Sequence, residues 1–316
     1  MLDSIYDRYA IFFKIYKLLN KTFHKNDLQC LIPFQNKKNL YSINNKIILK
    51  KRIGENSVYG TIFLSLIKPL KYKFITKVQL YDKAGKNEIE ILNLIRNYAL
   101  KTKNFHLPLF IKNFNCNSYD IFDSRLPPNI IGKYFYSYSS TTAELADGTV
   151  RNYIEVIFKG DKREISRKII NLIKQCVLSL MTLNHLGFIH NDAHLRNFLI
   201  FNVKKTYGYY QYNYKGKSFY LENTGVICVI WDFGLSKPLE LSNFLVDFKY
   251  VFALFKKYVR IHSLQYGIML DESINNFLSN ATNNYETYLN NDLIIEKLFL
   301  NKEVSSGKLL GTINLF

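Results

Sequence analysis

A chain of 316 residues with 48% hydrophobic and 22% charged side chains has the composition of a globular protein large enough for two lobes, not of a disordered one. It contains no stretch of roughly 18 uninterrupted apolar residues, so no membrane span is expected. The start of the chain, with Asp3 and Asp7 ahead of a short apolar run at Ala10 to Phe13 that Lys14 interrupts, lacks the pattern of a secretory signal.

The formal net charge of +18 has two readings. Lys, Asn, Ile, Tyr and Phe, whose codons are AT-rich, dominate the sequence, and the basic residues are spread along it, which favours a compositional origin. The charge also suits acidic partners, meaning phosphates, acidic protein segments or nucleic acid, without choosing among them. Cys30, Cys116, Cys176 and Cys228 lie far apart with no metal-type spacing and read as reduced thiols of an intracellular protein.

In chain order, Ile5, Tyr9, Phe12, Phe13, Tyr16 and Leu19 recur at helical spacing, predicting an amphipathic helix packed on the body of the protein. From Lys46 the pattern becomes β-rich: 46–53 and 59–67 flank a turn, and 72–80 follows as a third strand. Residues 85–103 read as a helix with Ile89, Leu92, Ile95 and Leu100 on one face. Strand-like sequence returns at 107–114 and 133–145, separated by a loop containing Pro127 and Pro128. Residues 163–186 form a long predicted helix ending at Gly187, and 245–262 and the tail from Asp271 also read as helical. Between them, 198–229 is β-rich and aromatic, with Tyr207, Tyr209, Tyr210, Tyr212, Tyr214, Phe219 and Tyr220.

Two segments of this second half carry chemistry. His190-Asn-Asp-Ala-His-Leu-Arg-Asn197 sits between a helix and a strand, and Asp232-Phe-Gly234 follows the apolar run Val226 to Ile230. A carboxylate to orient and deprotonate a hydroxyl, followed by oxygen ligands for a hard cation, is what phosphoryl transfer from ATP requires. Together the two segments resemble the catalytic loop and the metal-binding triplet of protein kinases. In that resemblance Asp192 is the catalytic carboxylate, Asn197 and Asp232 hold Mg2+, and His194 stands where a lysine contacts the γ-phosphate in most Ser/Thr kinases.

Upstream, Ile53-Gly-Glu-Asn-Ser-Val-Tyr-Gly60-Thr-Ile62 resembles the glycine-rich loop, with one glycine missing and a longer spacing. Gly54, Ser57 and Gly60 would cover the phosphates. Lys77 falls on the third strand at a kinase-like distance, with Lys71 and Lys73 as rivals. Glu88 on the following helix is its expected partner, with Glu90 the alternative. Residues 142–154 look like the hinge: Ala143 becomes a small gatekeeper with a pocket open behind it, Glu144 and Ala146 present backbone to adenine, and Ile62 and Leu199 enclose the ring. Asp247 resembles the buried aspartate that braces the catalytic-loop backbone.

The resemblance implies an α+β, bilobal protein kinase-like fold: a helical extension at 1–45, a β-rich N-lobe with one helix at 46–145, and a mainly helical C-lobe at 146–316 with a hairpin insert at about 203–225. It implies Ser/Thr phosphorylation of a protein with ATP and Mg2+, and the basic charge suits an acidic substrate. Nucleic acid is not specifically indicated. Only twelve residues, Leu235 to Val246, separate Gly234 from Asp247, so no activation-loop phosphorylation switch is expected. That short segment and His194 are shared with aminoglycoside and choline kinases, the rival reading, and a non-catalytic scaffold is a further one. The hairpin insert resembles one in kinase-like enzymes of large DNA viruses, which would place the protein in host cytoplasm or virion. Its tyrosines and lysines read as a structural β-extension or, less simply, as a base-stacking surface.

Overall fold

The computed structural model describes residues 2–24, 29–34, 41–54, 60–70, 72–116, 137–204, 206–283, 290–299 and 307–315. The chain is α+β, and it divides into two compact units, one of Tyr6–Asn93 with Leu109–Leu145, the other of Met1–Ile5, Leu94–Pro108 and Ala146–Phe316.

The first unit contains helix α1 (Asp7–Thr22) and strands β1 (Leu31–Pro33), β2 (Tyr41–Ile43), β3 (Ile47–Ile53), β4 (Gly60–Ile67) and β5 (Phe74–Leu80). It continues through the first half of α2 (Lys83–Thr102) to β6 (Phe110–Cys116) and β7 (Tyr138–Glu144). The strands form one antiparallel sheet in the order β1-β2-β3-β4-β5-β7-β6. Strands β1 and β2, which precede the first recognisable motif, thus extend the sheet. The Pro127–Pro128 loop lies outside the described residues.

In α1 the buried positions Arg8, Phe12, Ile15 and Leu19 repeat at alternating steps of four, three and four residues, the spacing that keeps one helix face inward. Burial of such a face, at about 25 cal/mol per Å² of apolar area removed from water, is what holds a helix of this length in place.

Cys30 and Cys116 are joined by a disulfide, with Cα atoms 4.8 Å apart. This corrects the reading of all four cysteines as free thiols. A separation of 86 residues carries no signal of pairing in one dimension, yet the fold brings the approach to β1 beside the end of β6. Cys176 and Cys228 remain thiols, both buried with sulfurs 3.5 Å apart, and burial pushes the Cys176 thiol well up.

The second unit is built on helices α3 (Val150–Phe158), α4 (Ile165–His185), α5 (Val246–Tyr266), α6 (Glu272–Asn283) and α7 (Asn291–Leu298). Its strands are β8 (Gly148–Thr149), β9 (Phe188–Ile189), β10 (Phe198–Asn202), β11 (Gly208–Tyr214), β12 (Lys217–Glu222), β13 (Val226–Ile230), β14 (Lys237–Pro238) and β15 (Lys308–Asn314). Helix α4 is buried along nearly its whole length and forms the core. It stops at Gly187, whose φ of 86° is the left-handed conformation that glycine adopts without strain.

The aromatic segment is a hairpin, β11 to β12, and β15 adds to β11 in parallel. Tyr210, Tyr212, Tyr214 and Phe219 point inward, with Tyr212 and Phe219 stacked at 5.3 Å and His106 bridging Tyr212 Oη to the Cys228 carbonyl. The inward rings pack as a structural extension, while Tyr207 is exposed and Tyr209 and Tyr220 meet edge to face on the other side of the hairpin. The tail is not wholly helical as expected, because β15 joins β11 with a register shift at Tyr209/Tyr210 and buries Ile313 in this sheet.

Candidate functional site

Within the first unit, β5 carries Lys77 and α2 carries Glu88. The Lys77 ammonium lies 2.8 Å and 3.0 Å from the two Glu88 oxygens, and both side chains are almost wholly buried. Gln79, two residues along the same strand face, donates to Glu88 Oε2 at 2.7 Å. Buried charges need such multiple partners, since an unpaired one costs several kcal/mol. The rivals separate cleanly: Lys73 and Glu90 are exposed, and Lys71 lies outside the described residues.

The strand register places Ile62 on β4 and Thr141 on β7 directly across from Lys77, and Ala143 directly across from Ile75. Opposed residues of antiparallel strands share a face, so Ile62, Ile75, Lys77 and Ala143 line one side of the sheet. Ala143 is fully buried. Gly54 ends β3 with φ 79°, a conformation suited to glycine. At Gly60 the constraint is different: a Cβ there would lie 2.7 Å from the Val78 carbonyl oxygen, so the close approach of β5 excludes a side chain. Ser57 lies outside the described residues.

Glu144, at the end of β7, has its carboxylate held by the Arg8 guanidinium, with Nε to Oε2 at 2.8 Å, and by the Leu109 N–H at 2.9 Å. Sequence reasoning missed Arg8. The signal was an arginine at a core position of the α1 apolar repeat. Gln79 was missed as well, and nothing in its sequence surroundings marks it.

In the second unit, the segment 190–197 and the segment after β13 are tied together by backbone. The Trp231 N–H donates to the Asn197 carbonyl at 2.7 Å, and the Trp231 carbonyl meets His190 Nε2 at 2.9 Å. Asp232 is therefore the second residue beyond a ladder in which Phe198 faces Ile230. Its φ of 69° is left-handed, as is the 60° of Asn191, and non-glycine residues hold that conformation only where their surroundings enforce it.

Asp247 supplies that enforcement for Asn191. One carboxylate oxygen accepts the His190 N–H at 2.6 Å, the other the Asn191 N–H at 2.9 Å. Burial pushes this carboxyl upward, against the pull of His190 and the two N–H groups.

Asn197 Nδ2 donates to the Asp192 carbonyl at 2.9 Å and to Asp192 Oδ2 at 3.2 Å. The amide nitrogen is thereby committed to Asp192, which turns the amide oxygen away from that carboxylate. Asp192 and His194 are each about a third exposed, with His194 Nε2 3.7 Å from Asp192 Oδ2. Leu199, on β10, pairs with Thr149 and Val229 and is half-buried, and Ala146 is half-buried ahead of β8. The structure thus gathers Asp192, His194, Asn197 and Asp232 in one unit with Ala146 and Leu199, and Lys77, Glu88, Gly54, Gly60, Ile62, Ala143 and Glu144 in the other.

The donor set suits a hard cation. The Asp232 carboxylate and the Asn197 amide oxygen are magnesium-type ligands by their chemistry, and two protein ligands would leave the remaining positions to phosphate oxygens and water. Among the described residues no group of three or more His, Cys, Asp or Glu side chains forms a metal cage of its own. No family model and no curated protein matches the chain.

Proposed function

We propose that this protein is an ATP-dependent phosphotransferase with a bilobal protein kinase-like fold, acting on Ser/Thr hydroxyls of a protein. The observation that carries the reading is the Asp192–Asn197 pair, joined through the Trp231–Asn197 backbone bond to Asp232. A carboxylate, an amide and a second carboxylate on two loops locked to each other form a preorganised arrangement for positioning and charge stabilisation, which dominate phosphoryl transfer.

In this reading Asp192 accepts the proton of the acceptor hydroxyl and orients its lone pair toward the γ-phosphate. Its partial exposure leaves room for an acceptor, and the Asn197 amide fixes its rotamer. Asn197 Oδ1 and the Asp232 carboxylate would hold Mg2+, which when bound neutralises charge on the phosphates. Lys77, kept in place by Glu88 and Gln79, serves the α- and β-phosphates as a point charge. His194 serves the γ-phosphate. Ala143, Glu144, Ala146, Ile62 and Leu199 are the adenine-contacting residues, with the Arg8 contact fixing the Glu144 end of β7.

Calorimetric titration of Mg-ATP separates the roles. Asp232→Ala is expected to weaken binding strongly, and Asp192→Ala to leave it nearly intact. Equal affinity of wild type and Asp232→Ala would remove Asp232 from the site.

A small-molecule acceptor is the second reading, favoured by one observation. Lys237 and Pro238 pair with Phe188 and Ile189 as β14 and β9, leaving only residues 239–245 before α5. That is little chain for holding an extended peptide.

A further inference from the structure

The positive charge reads as dispersed along the sequence, but on α5 the fold gathers it. Lys249, Lys256, Lys257 and Arg260 all lie on the exposed side of this 21-residue helix, and its single acidic residue, Asp247, is buried beneath the loop 190–191. Apolar groups share that side. Of the thirteen exposed large hydrophobic side chains among the described residues, six fall between 241 and 269: Leu241, Val246, Tyr250, Ile261, Leu264 and Met269. Leu264 is 74% exposed, and Leu241 and Met269, at the two ends, are 90% and 96% exposed.

Helical geometry sorts these residues into two adjoining rows. At 100° per residue, Val246, Tyr250, Lys257, Ile261 and Leu264 fall within a sector about 60° wide, while Lys249, Lys256 and Arg260 fall within a second sector centred about 80° away. Scattered single apolar residues on a surface need no explanation, whereas a concentrated patch with one sign of charge beside it marks a binding surface. Glu155 of α3, which reaches Tyr266 Oη at 3.4 Å, is paired with Lys159 at 2.7 Å. Glu240 precedes the rows, and Asp271 and Glu272 follow them, all exposed.

We infer that the exposed face of α5 docks an acidic amphipathic helix of a partner protein. An apolar row flanked by a basic row is complementary to a helix that presents leucine-like side chains on one line and carboxylates on the next. The acidic residues at both ends favour a segment of limited length over an anionic bilayer. A bilayer is planar and extends past the helix, so it would meet Glu240, Asp271 and Glu272, whereas a partner helix matching the rows spans about 30 Å, or about 20 residues. This surface is independent of the phosphotransferase reading, because none of its exposed residues is assigned to that chemistry.

The test is fluorescence anisotropy on the full chain with a labelled synthetic peptide of about 20 residues, carrying leucines at helical spacing and glutamates on the adjoining line. Its scrambled isomer and phosphatidylserine vesicles serve as the other two probes. Wild type binds the amphipathic peptide, the scrambled isomer binds roughly tenfold more weakly or worse, and affinity falls with added salt. The charge-reversed variant K256E/K257E/R260E loses at least about tenfold in affinity, and the single variant Leu264→Asp loses a comparable amount through the apolar row. Thermal unfolding checks that each is folded, and Leu264→Asp carries the test if the triple variant is not. Equal binding of the scrambled peptide, affinity unchanged in the variants, or binding to vesicles without binding to the peptide would each overturn the inference.

Discussion

Arg8 and Glu144 form a buried ion pair between the first helix and the last residue of β7, across 136 positions of sequence, with Nε 2.8 Å from Oε2. The arginine occupies a core position of α1, so its charge is out of water and is compensated by the Glu144 carboxylate. Removing one member of such a pair leaves the other buried and uncompensated. Arg8→Ala is expected to lower stability by about 3 kcal/mol, read from the midpoint of urea unfolding. Arg8→Lys should recover only part of that, since a lysine lacks the fork that engages both oxygens. An unchanged midpoint for Arg8→Ala would mean that α1 is held by its apolar face alone.

Lys77, Gln79 and Glu88 form a second buried network, and the catalytic reading gives it a role beyond stability. Lys77→Met is expected to reduce transfer by at least about a hundredfold, the scale for losing one positioned charge at a developing anion. In unfolding experiments, Lys77→Met and Glu88→Gln should be non-additive, with a coupling of about 1–3 kcal/mol because the two groups touch. Additive effects would mean that the contact is not maintained in solution.

The Cys30–Cys116 disulfide closes a loop of 86 residues, and a crosslink of that span restricts the unfolded chain considerably. Reduction, or the Cys30→Ser/Cys116→Ser variant, should cost about 2–4 kcal/mol. Urea titrations with and without reductant measure this directly. A wild type indifferent to reductant would show that the bond contributes nothing to the native state.

Asp292, on α7, is held by the Lys215 ammonium at 2.8 Å and by the Tyr214 hydroxyl, and these contacts lower its carboxyl below the usual value. A carboxyl whose folded value is lowered adds stability above its unfolded value, near pH 4, and loses it as pH falls through the folded value. Wild type should therefore exceed Asp292→Asn in stability at neutral pH, and the two should converge in acid. The pair is half exposed, so the gap is at most about 1 kcal/mol and shrinks with salt. A gap that widens toward acid pH would contradict the assignment.

Much of the secondary structure was legible because its signals are local. Helix α2 runs over 83–102 where the apolar spacing suggested 85–103, and α4 over 165–185 where it suggested 163–186. The expectation that Asp247 braces the 190–191 backbone also matches the hydrogen bonds observed. What escaped the sequence depends on distant partners. Cys30 finds Cys116, Arg8 finds Glu144, and β15 finds β11, in each case across 86 residues or more. Each of these segments is unremarkable alone: one cysteine, one arginine in a helix, one short apolar stretch in a tail expected to be helical. The basic rows of α5 escaped for a related reason. Lysines spaced along a sequence look dispersed until helical geometry lines them up and Asp247 turns inward.

The most direct test of the account is transfer of labelled γ-phosphate from Mg-ATP, with wild type and Asp192→Ala side by side. Acceptors should include generic acidic and basic proteins together with aminoglycosides and choline. Label is expected on protein serine or threonine with wild type, with a loss of at least about a hundredfold in Asp192→Ala while ATP binding persists. Transfer by Asp192→Ala at the wild-type rate, or no transfer to any acceptor despite measurable Mg-ATP binding, would contradict it.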